Sequence, residues 1–366
     1  MEYQISEPLF LLAGVKYQRN ELTKGYDVPG YWPPAFSSTA EPGSAIGRST
    51  DEFYHVPPPP QENVPDALLT TTRDVGGYLQ ATFDKAPWRF NVGVRYDKNS
   101  VYGSVVNPRS AIIYHYDENW TFKLLHGRAF QEPAALQLWG GWSGRFANEN
   151  LKAERVQNME AVVMHRHRQL LHELSIYNAH YSDVIKEEAE NGGERDIFGL
   201  EYRLQTPVSN PLYEKDIELY FNYSYARPKS GTHYDHDEGQ WRLGNADLGD
   251  IARHKWNLGF NVPFNAHWNF NIRANYVGSR ELYLRNPLRQ SRQIDAYFLL
   301  NSALTYHYDP FSVTLKVLNL LDKEYLHPGG ETASSGDDFS QRSLGYQNSL
   351  IPQEGRSFWL NAQWRF

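Results

Sequence analysis

The sequence predicts an all-β protein, an antiparallel transmembrane β-barrel of about fourteen strands. Three observations lead there: apolar and polar residues alternate over long stretches, short turns alternate with long connections, and the chain ends on an amphipathic strand with a terminal aromatic. No apolar run approaches the ~18 residues of a membrane helix, and the mean hydropathy is −0.64. A barrel escapes that exclusion because only alternate strand residues face lipid.

The elements follow in chain order. The first strand is expected at about Pro8 to Tyr17, where Leu9 to Ala13 form an apolar run rather than an alternation. Phe90, Val92, Val94 and Tyr96 alternate with Arg89, Asn91, Gly93 and Arg95. Phe198, Leu200, Tyr202 and Leu204 alternate with Gly199, Glu201 and Arg203. Trp256, Leu258, Phe260 and Val262 form the apolar side of the next strand. The clearest case is Trp268 to Val277, with Trp268, Phe270, Ile272, Ala274 and Tyr276 against Asn269, Asn271, Arg273 and Asn275. Phe311, Val313, Leu315 and Val317 repeat the pattern. In the last strand, Phe358, Leu360, Ala362, Trp364 and Phe366 share one side, with Trp359 the exception on the other. Successive strand side chains point to opposite faces, so each of these strands has one apolar face. The opposite face is rich in Asn, Gly, Ser and Arg rather than Lys and Glu, which suits a polar lumen.

Short turns are expected at Asp84 to Pro87, Asp117 to Asn119, Arg166 to Arg168, Asn265 to His267 and Asp309-Pro310. Long connections run over Glu21 to Leu68, Gln131 to Lys152, Arg227 to Ile251, Glu281 to Gln293 and Asp322 to Gly355. Short turns on one rim and long loops on the other are the layout of a membrane barrel. An even strand count then starts the first strand at the short-turn rim and puts Glu21 to Leu68 outside the cell. The 366 residues form one unit with no interdomain linker. A net charge of −7 argues against a nucleic-acid partner, and the absence of cysteine excludes disulfide and thiolate chemistry. Aromatic residues make up 14% of the chain, with 25 Tyr and 10 Trp, a content that interfacial girdles, a carbohydrate-binding surface or an aromatic β-sandwich core would each explain. Met1-Glu2-Tyr3-Gln4 carries no basic region, so no secretory signal is expected.

Several local patterns resemble TonB-dependent outer-membrane receptors. Asn319-Leu320-Leu321-Asp322-Lys323-Glu324-Tyr325 is similar to the family's NLFDKEY segment, and Gly355-Arg356-Ser357-Phe358 to its GRSF segment. Gly127 to Pro133 resembles G-x-A-F-R-A-P, Asn148 to Glu154 resembles N-P-N-L-K-P-E, and Asn158-Met159-Glu160 the N-Y-E that follows. Gly77 to Gln80 and Gly93 to Asp97 resemble two further barrel segments, so the likeness spans roughly Val75 to Phe366. The resemblance implies the C-terminal part of a barrel of about 22 strands. Residues 1–366 would all be barrel, without the plug domain and about the first eight strands. It implies a place in the bacterial outer membrane, lipid as a partner, and a metal chelate or similar scarce nutrient as cargo. The TonB system would act only through the missing plug. No cofactor is expected, and no bond is made or broken.

Candidate cargo contacts are Tyr31, Trp32 and Tyr54 in the first long connection, and Arg128, Trp139, Trp142 and Arg145 in mid-chain. Aromatics bury much area at low entropy cost, and the arginines suit an anionic chelate. Loop self-packing explains the same aromatics, and Arg128 equally suits a lumen position. His233, Asp235 and His236 form the densest set of metal-ligand types, against the reading of a solvated acidic loop. His165, His167 and His172 fall near a short turn, as a polar rim would place them. No G-x-S-x-G, H-E-x-x-H, phosphate loop or EF-hand occurs, and no enzymatic activity is expected. Two other classes stay open: an unplugged passive pore, and a soluble all-β binding protein.

Overall fold

The computed structural model describes residues 2–23, 69–139, 148–185, 190–235, 240–244, 249–283, 286–289, 291–330, 341 and 344–365. Among them the chain forms β1 (Glu2–Ser6), β2 (Leu9–Thr23), β3 (Leu69–Lys85), β4 (Trp88–Asn99), β5 (Gly103–His115), β6 (Trp120–Gln131), the short helix α1 (Ala135–Trp139), β7 (Glu154–His167), β8 (Leu170–Ile185) and β9 (Asn191–Val208). It continues with β10 (Ile217–Asp235), β11 (Gln240–Gly244), β12 (His254–Pro263), β13 (Trp268–Val277), β14 (Arg280–Glu281), β15 (Gln293–Ile294), β16 (Tyr297–Tyr308), β17 (Phe311–Leu318), β18 (Leu326–Pro328), β19 (Leu350–Pro352) and β20 (Ser357–Trp364). One antiparallel sheet holds 16 of these strands, in the order β1 to β10, β12, β13, β16, β17, β20, with β11 paired to β10. Each long strand therefore pairs with its predecessor in the chain. The pairs β14–β15 and β18–β19 form two small separate sheets.

The register places alternate residues of neighbouring strands on common faces. Phe83, Phe90, Ile112, Leu124, Ala161, Ile176 and Leu200 stand directly opposite one another across seven strands. Their face is the exposed one: Val15 is 94% accessible, Val92 59% and Leu124 49%. The other face is the buried one and it is polar, with Thr82 at 8%, Asp97 at 7% and Ser175 at 7%. Water-soluble sheets have the opposite distribution, so the soluble all-β alternative does not fit. The apolar face is outward toward lipid, and the polar face lines the lumen.

The inner face is held by side chains that bond across strands. Asn275 donates to Asn257, Asn301 Nδ2 donates to Asn275 Oδ1 at 3.1 Å, and Asn269 Nδ2 to Asn261 Oδ1 at 2.6 Å. The Arg95 guanidinium donates twice to the Asp97 carboxylate, at 2.6 and 2.7 Å. A second device recurs three times. Tyr78, Tyr177 and Tyr220 each stand opposite a glycine, Gly14, Gly199 and Gly259, and a Cβ at any of these glycines would overlap the ring. The ring covers the gap that the missing side chain leaves in the wall.

Trp268–Val277 and Phe311–Leu318 coincide with the strands expected there. Trp359 falls on the inner face beside Lys316, which accounts for its break in the apolar side of the last strand. The sheet exceeds the expected count of strands. β1 precedes the first expected one, and the connection expected over Arg227 to Ile251 is partly strand, since β10 runs to Asp235 and turns into β11. The five expected short turns lie at one end of the sheet. The long connections lie at the other, together with two short ones, residues 100–102 between β4 and β5 and residues 186–190 between β8 and β9. The long-connection end is the outer, extracellular one.

The two faces have different tolerances. Leu124→Arg, near mid-height on the lipid face, is expected to cost about 2–4 kcal/mol. Asn361→Arg, on the inner face of β20, is expected to stay within about 0.5 kcal/mol of the parent. Urea unfolding of the protein in lipid vesicles measures both; equal costs would contradict the assignment of faces.

Candidate functional site

The sequence motifs build the outer end. In mid-chain, Leu151 and Ala153 are each 1% accessible. Leu151 packs with Leu138 and Ile185, and Ala153 with Tyr102 and Val105, with Phe130 against them. The Glu154 carboxylate accepts from the Ile185 N–H at 2.7 Å, and the Asn191 side chain bonds the Lys152 backbone in both directions, at 2.7 and 2.9 Å. Nearer the C-terminus, Asn319 is buried in a left-handed conformation. Its amide donates to the Lys323 carbonyl and accepts from the Lys323 N–H, both at 2.9 Å. Asp322 accepts from the Arg356 N–H at 2.8 Å, which ties that segment to the start of β20.

Above β12, β13, β16 and β17 the described parts of the connections pack on one another. Residues 249–253, β14–β15 and β18–β19 pack around Leu282, Ile294, Ala252, Tyr346 and Ser349, all buried. Asn286, also buried, donates to the Ser349 carbonyl at 2.9 Å and accepts from the Leu288 N–H at 3.0 Å, which joins the two small sheets. Asp250 accepts from the Tyr283 N–H at 3.0 Å. Arg289 pairs with Glu281 at 2.6 Å and donates to the Leu282 carbonyl.

Arg280 is different. Its Nε and Nη2 are buried and have no hydrogen-bond partner. Burial, opposed by the Tyr283 N–H and by Arg280 and Arg289, raises the Asp250 carboxyl above its usual value. Burial and the same Arg280 charge lower His327. His327 Nε2 lies 3.2 Å from the Tyr297 hydroxyl, and Tyr297 packs against Tyr325 with ring centroids 4.6 Å apart and the ring planes tilted by 39°. Tyr297 opposes Val277 on the inner face, so this group stands at the mouth of the lumen. Uncommitted guanidinium donors beside three rings suit an anionic or oxygen-rich ligand with flat apolar parts.

Tyr31, Trp32, Tyr54, Trp142, Arg145 and His236 lie outside the described residues. Trp139 ends α1, and His233 and Asp235 lie at the outer tip of β10. Arg128 stands on the outward face, its Nε donating to Gln157 Oε1 at 2.9 Å. His165 opposes His172 in an outward ring belt at the short-turn end, with Trp120 4.4 Å from His165 and the Tyr202 hydroxyl 2.7 Å from His172 Nδ1. No group of three metal-ligand side chains occurs among the described residues. Sequence reasoning missed Arg280, Tyr297 and His327, although the nearby Asn319 motif marks the ordered connection that carries His327.

Residues 13–320 match the family model described as TonB dependent receptor-like, beta-barrel. The vitamin B12 transporter BtuB of Photobacterium profundum is 26% identical over 263 residues, 68% of this chain and 39% of that protein. BtuB of Vibrio cholerae is 23% identical over 268 residues, covering 71% and 40%. Among solved structures, a variant of the ferric enterobactin receptor PfeA of Pseudomonas aeruginosa, in complex with enterobactin, superposes with a TM-score of 0.70 at 16% identity. That superposition covers 99% of this chain and 52% of PfeA. The siderophore receptor PirA of Acinetobacter baumannii superposes with a TM-score of 0.69 at 15% identity, over 100% and 53%. The chain thus spans about half the length of these solved receptors and about two fifths of its curated relatives.

The lowered His327 makes the outer connections pH-sensitive. A histidine held below its ordinary 6.5 binds its proton more weakly when folded than when unfolded. Stability is therefore full above that value and falls as pH drops through it. The protection of β18 and β19 amides, their exchange divided into the intrinsic rate at each pH, is expected to fall as pH drops from 7.5 to 5.5, roughly across the ordinary histidine range. His327→Gln should abolish that change; unchanged protection in the parent would contradict it.

Proposed function

The chain belongs to the TonB-dependent receptor-like β-barrel family, and on that premise we propose that it forms the wall and outer binding face of an uptake receptor. Its place is the bacterial outer membrane. The proposed cargo is a metal chelate of the siderophore type or a similar scarce nutrient. The curated relatives are named as vitamin B12 transporters, and one superposed receptor holds enterobactin. Cargo is captured by the outer connections and passed along the polar inner face; no bond is made or broken. Gating and energy come from a plug and, through it, from the TonB system. The described connections contribute Arg280, Tyr297, Tyr325 and His327. Tyr31, Trp32, Tyr54, Trp139, Trp142 and Arg145 are proposed as further contacts from residues 24–68 and 135–147.

The observation that carries this reading is Arg280, whose Nε and Nη2 are buried at the lumen mouth without a hydrogen-bond partner. A buried donor left unsatisfied costs about 1–3 kcal/mol, so a ligand oxygen that satisfies it gains correspondingly. Quenching of intrinsic fluorescence by ferric enterobactin and by cyanocobalamin tests it on the purified protein. One of the two is expected to bind, and Arg280→Gln should weaken it roughly tenfold, about 1.4 kcal/mol. Steady conductance in a planar bilayer with binding of neither probe would make the barrel a passive pore instead.

A further inference from the structure

The inner wall is not electrically uniform. β12, β13, β16, β17 and β20 contain no Asp or Glu. Their inner faces do carry cations, Lys255, Arg273 and Lys316. On β4 and β5, by contrast, each inner guanidinium has a partner. Arg89 lies 3.5 Å from Asp84, Arg95 holds Asp97 at 2.6 Å, and Arg109 donates to Gln80. Arg273 and Lys316 are exposed and make no hydrogen bond or ion pair with any described residue. The Asn271 amide, on the same face as Arg273, has no described partner either.

The register gathers these three groups around one small residue. Arg273 stands opposite Asn301, and Asn271 stands opposite Ala303. On its other side Ala303 stands opposite Lys316. The Ala303 methyl is therefore a low point in the wall. Asn271 and Lys316 flank it at its own level, and Arg273 is one inner position higher. Arg273 and Lys316 are separated by about 10 Å across two strand spacings and about 7 Å along the strands. The long stems of an arginine and a lysine at that separation both reach the space above Ala303. Trp359 stands opposite Lys316 on the next strand and is 58% accessible, so its indole faces the same space.

We propose that Arg273, Lys316 and Asn271 form a binding site on the inner wall for a small multivalent oxyanion of the polycarboxylate class. The guanidinium offers a planar fork of donors, the ammonium a point charge and the amide a neutral donor. A low-dielectric wall lined by one sign of charge focuses that field into the lumen. Tyr297 and Ala303 are both on β16. At about 3.3 Å per residue and a tilt of about 40°, the site lies about 15 Å below the mouth. It rests on the wall strands alone, so it survives failure of the cargo reading at Arg280, and that reading survives failure of this site.

Trp359 fluorescence, taken as the difference between the full chain and its Trp359→Phe variant in neutral micelles, tests the proposal. Relative to the same ions acting on free N-acetyltryptophanamide, iodide should quench that signal about threefold more strongly than caesium. Citrate at about 5 mM and constant ionic strength should suppress the iodide quenching, since two charge-assisted contacts bind roughly in the millimolar range. Neutral sorbitol should not. Arg273→Gln combined with Lys316→Gln should remove both the iodide preference and the citrate effect. Arg203→Gln, on the inner face of β9, should leave both in place. Both replaced cations are exposed and unpartnered, so the double variant loses no fold contact, and the comparison of iodide with caesium needs neither substitution. Equal quenching by the two ions, iodide quenching indifferent to citrate, or a double variant indistinguishable from the parent would each overturn the proposal.

Discussion

Everything in this molecule depends on backbone hydrogen bonding in a medium that offers no partner. A strand in lipid satisfies its N–H and C=O groups only against another strand, and any group left over costs several kcal/mol, roughly as for an unpaired buried amide. The long strands consequently pair in sequence order from β1 to β20, with ladders up to fifteen residue pairs long, as between β2 and β3. Side-chain chemistry is arranged around that ladder. The face that meets lipid carries Val, Leu, Phe and Ile, while the polar side chains are collected where they can bond each other. The β5–β6 ladder stops at Arg109 opposite Gly127, next to Pro108, which has no N–H to extend it.

The inner wall and the outer connections carry different chemistry. Along β12, β13 and β16 the lumen side presents amides joined to one another, Asn257 to Asn275 to Asn301. Such groups are polar without holding a fixed charge, and they share the inner face with Arg273 and with the mutually paired Arg95 and Asp97. Tyrosine rings close the gaps at Gly14, Gly199 and Gly259 and keep that surface continuous. Partnerless donors are found at Arg280, in connections held by Asn286 and Asn319 rather than by the main ladder. A rigid scaffold with recognition on its loops is a common division of labour.

The wall was largely legible in the sequence because its rule is local. A period of two between Trp268 and Val277 can be read without knowing which strand lies beside it, and the structure has that strand with those bounds. β14, β15, β18 and β19 were not legible, because two or three residues are too few to show a period. Their register depends on distant partners, such as the bond from Asn286 to the Ser349 carbonyl. The same reason hid Arg280, whose importance lies in what it does not touch. Arg128 was singled out by its motif, yet only the pairing with Gln157 shows that it points outward. The histidines near the short turn read as a polar rim in sequence; the structure makes His165 and His172 members of an aromatic belt, because each meets a ring on the neighbouring strand.

The neighbour-to-neighbour strand order has a consequence for how the wall is made. Because no long strand must find a partner far along the chain, each hairpin can dock on the edge left by the one before it. The entropy of closing each new connection grows only with the logarithm of its length. All-β proteins are usually slow to fold because their pairings are non-local. Here the search is divided into a series of smaller ones, each adding a strand to the edge left by the one before it. Assembly of this barrel is therefore a directional zipper, whose order of events is written in the order of its residues.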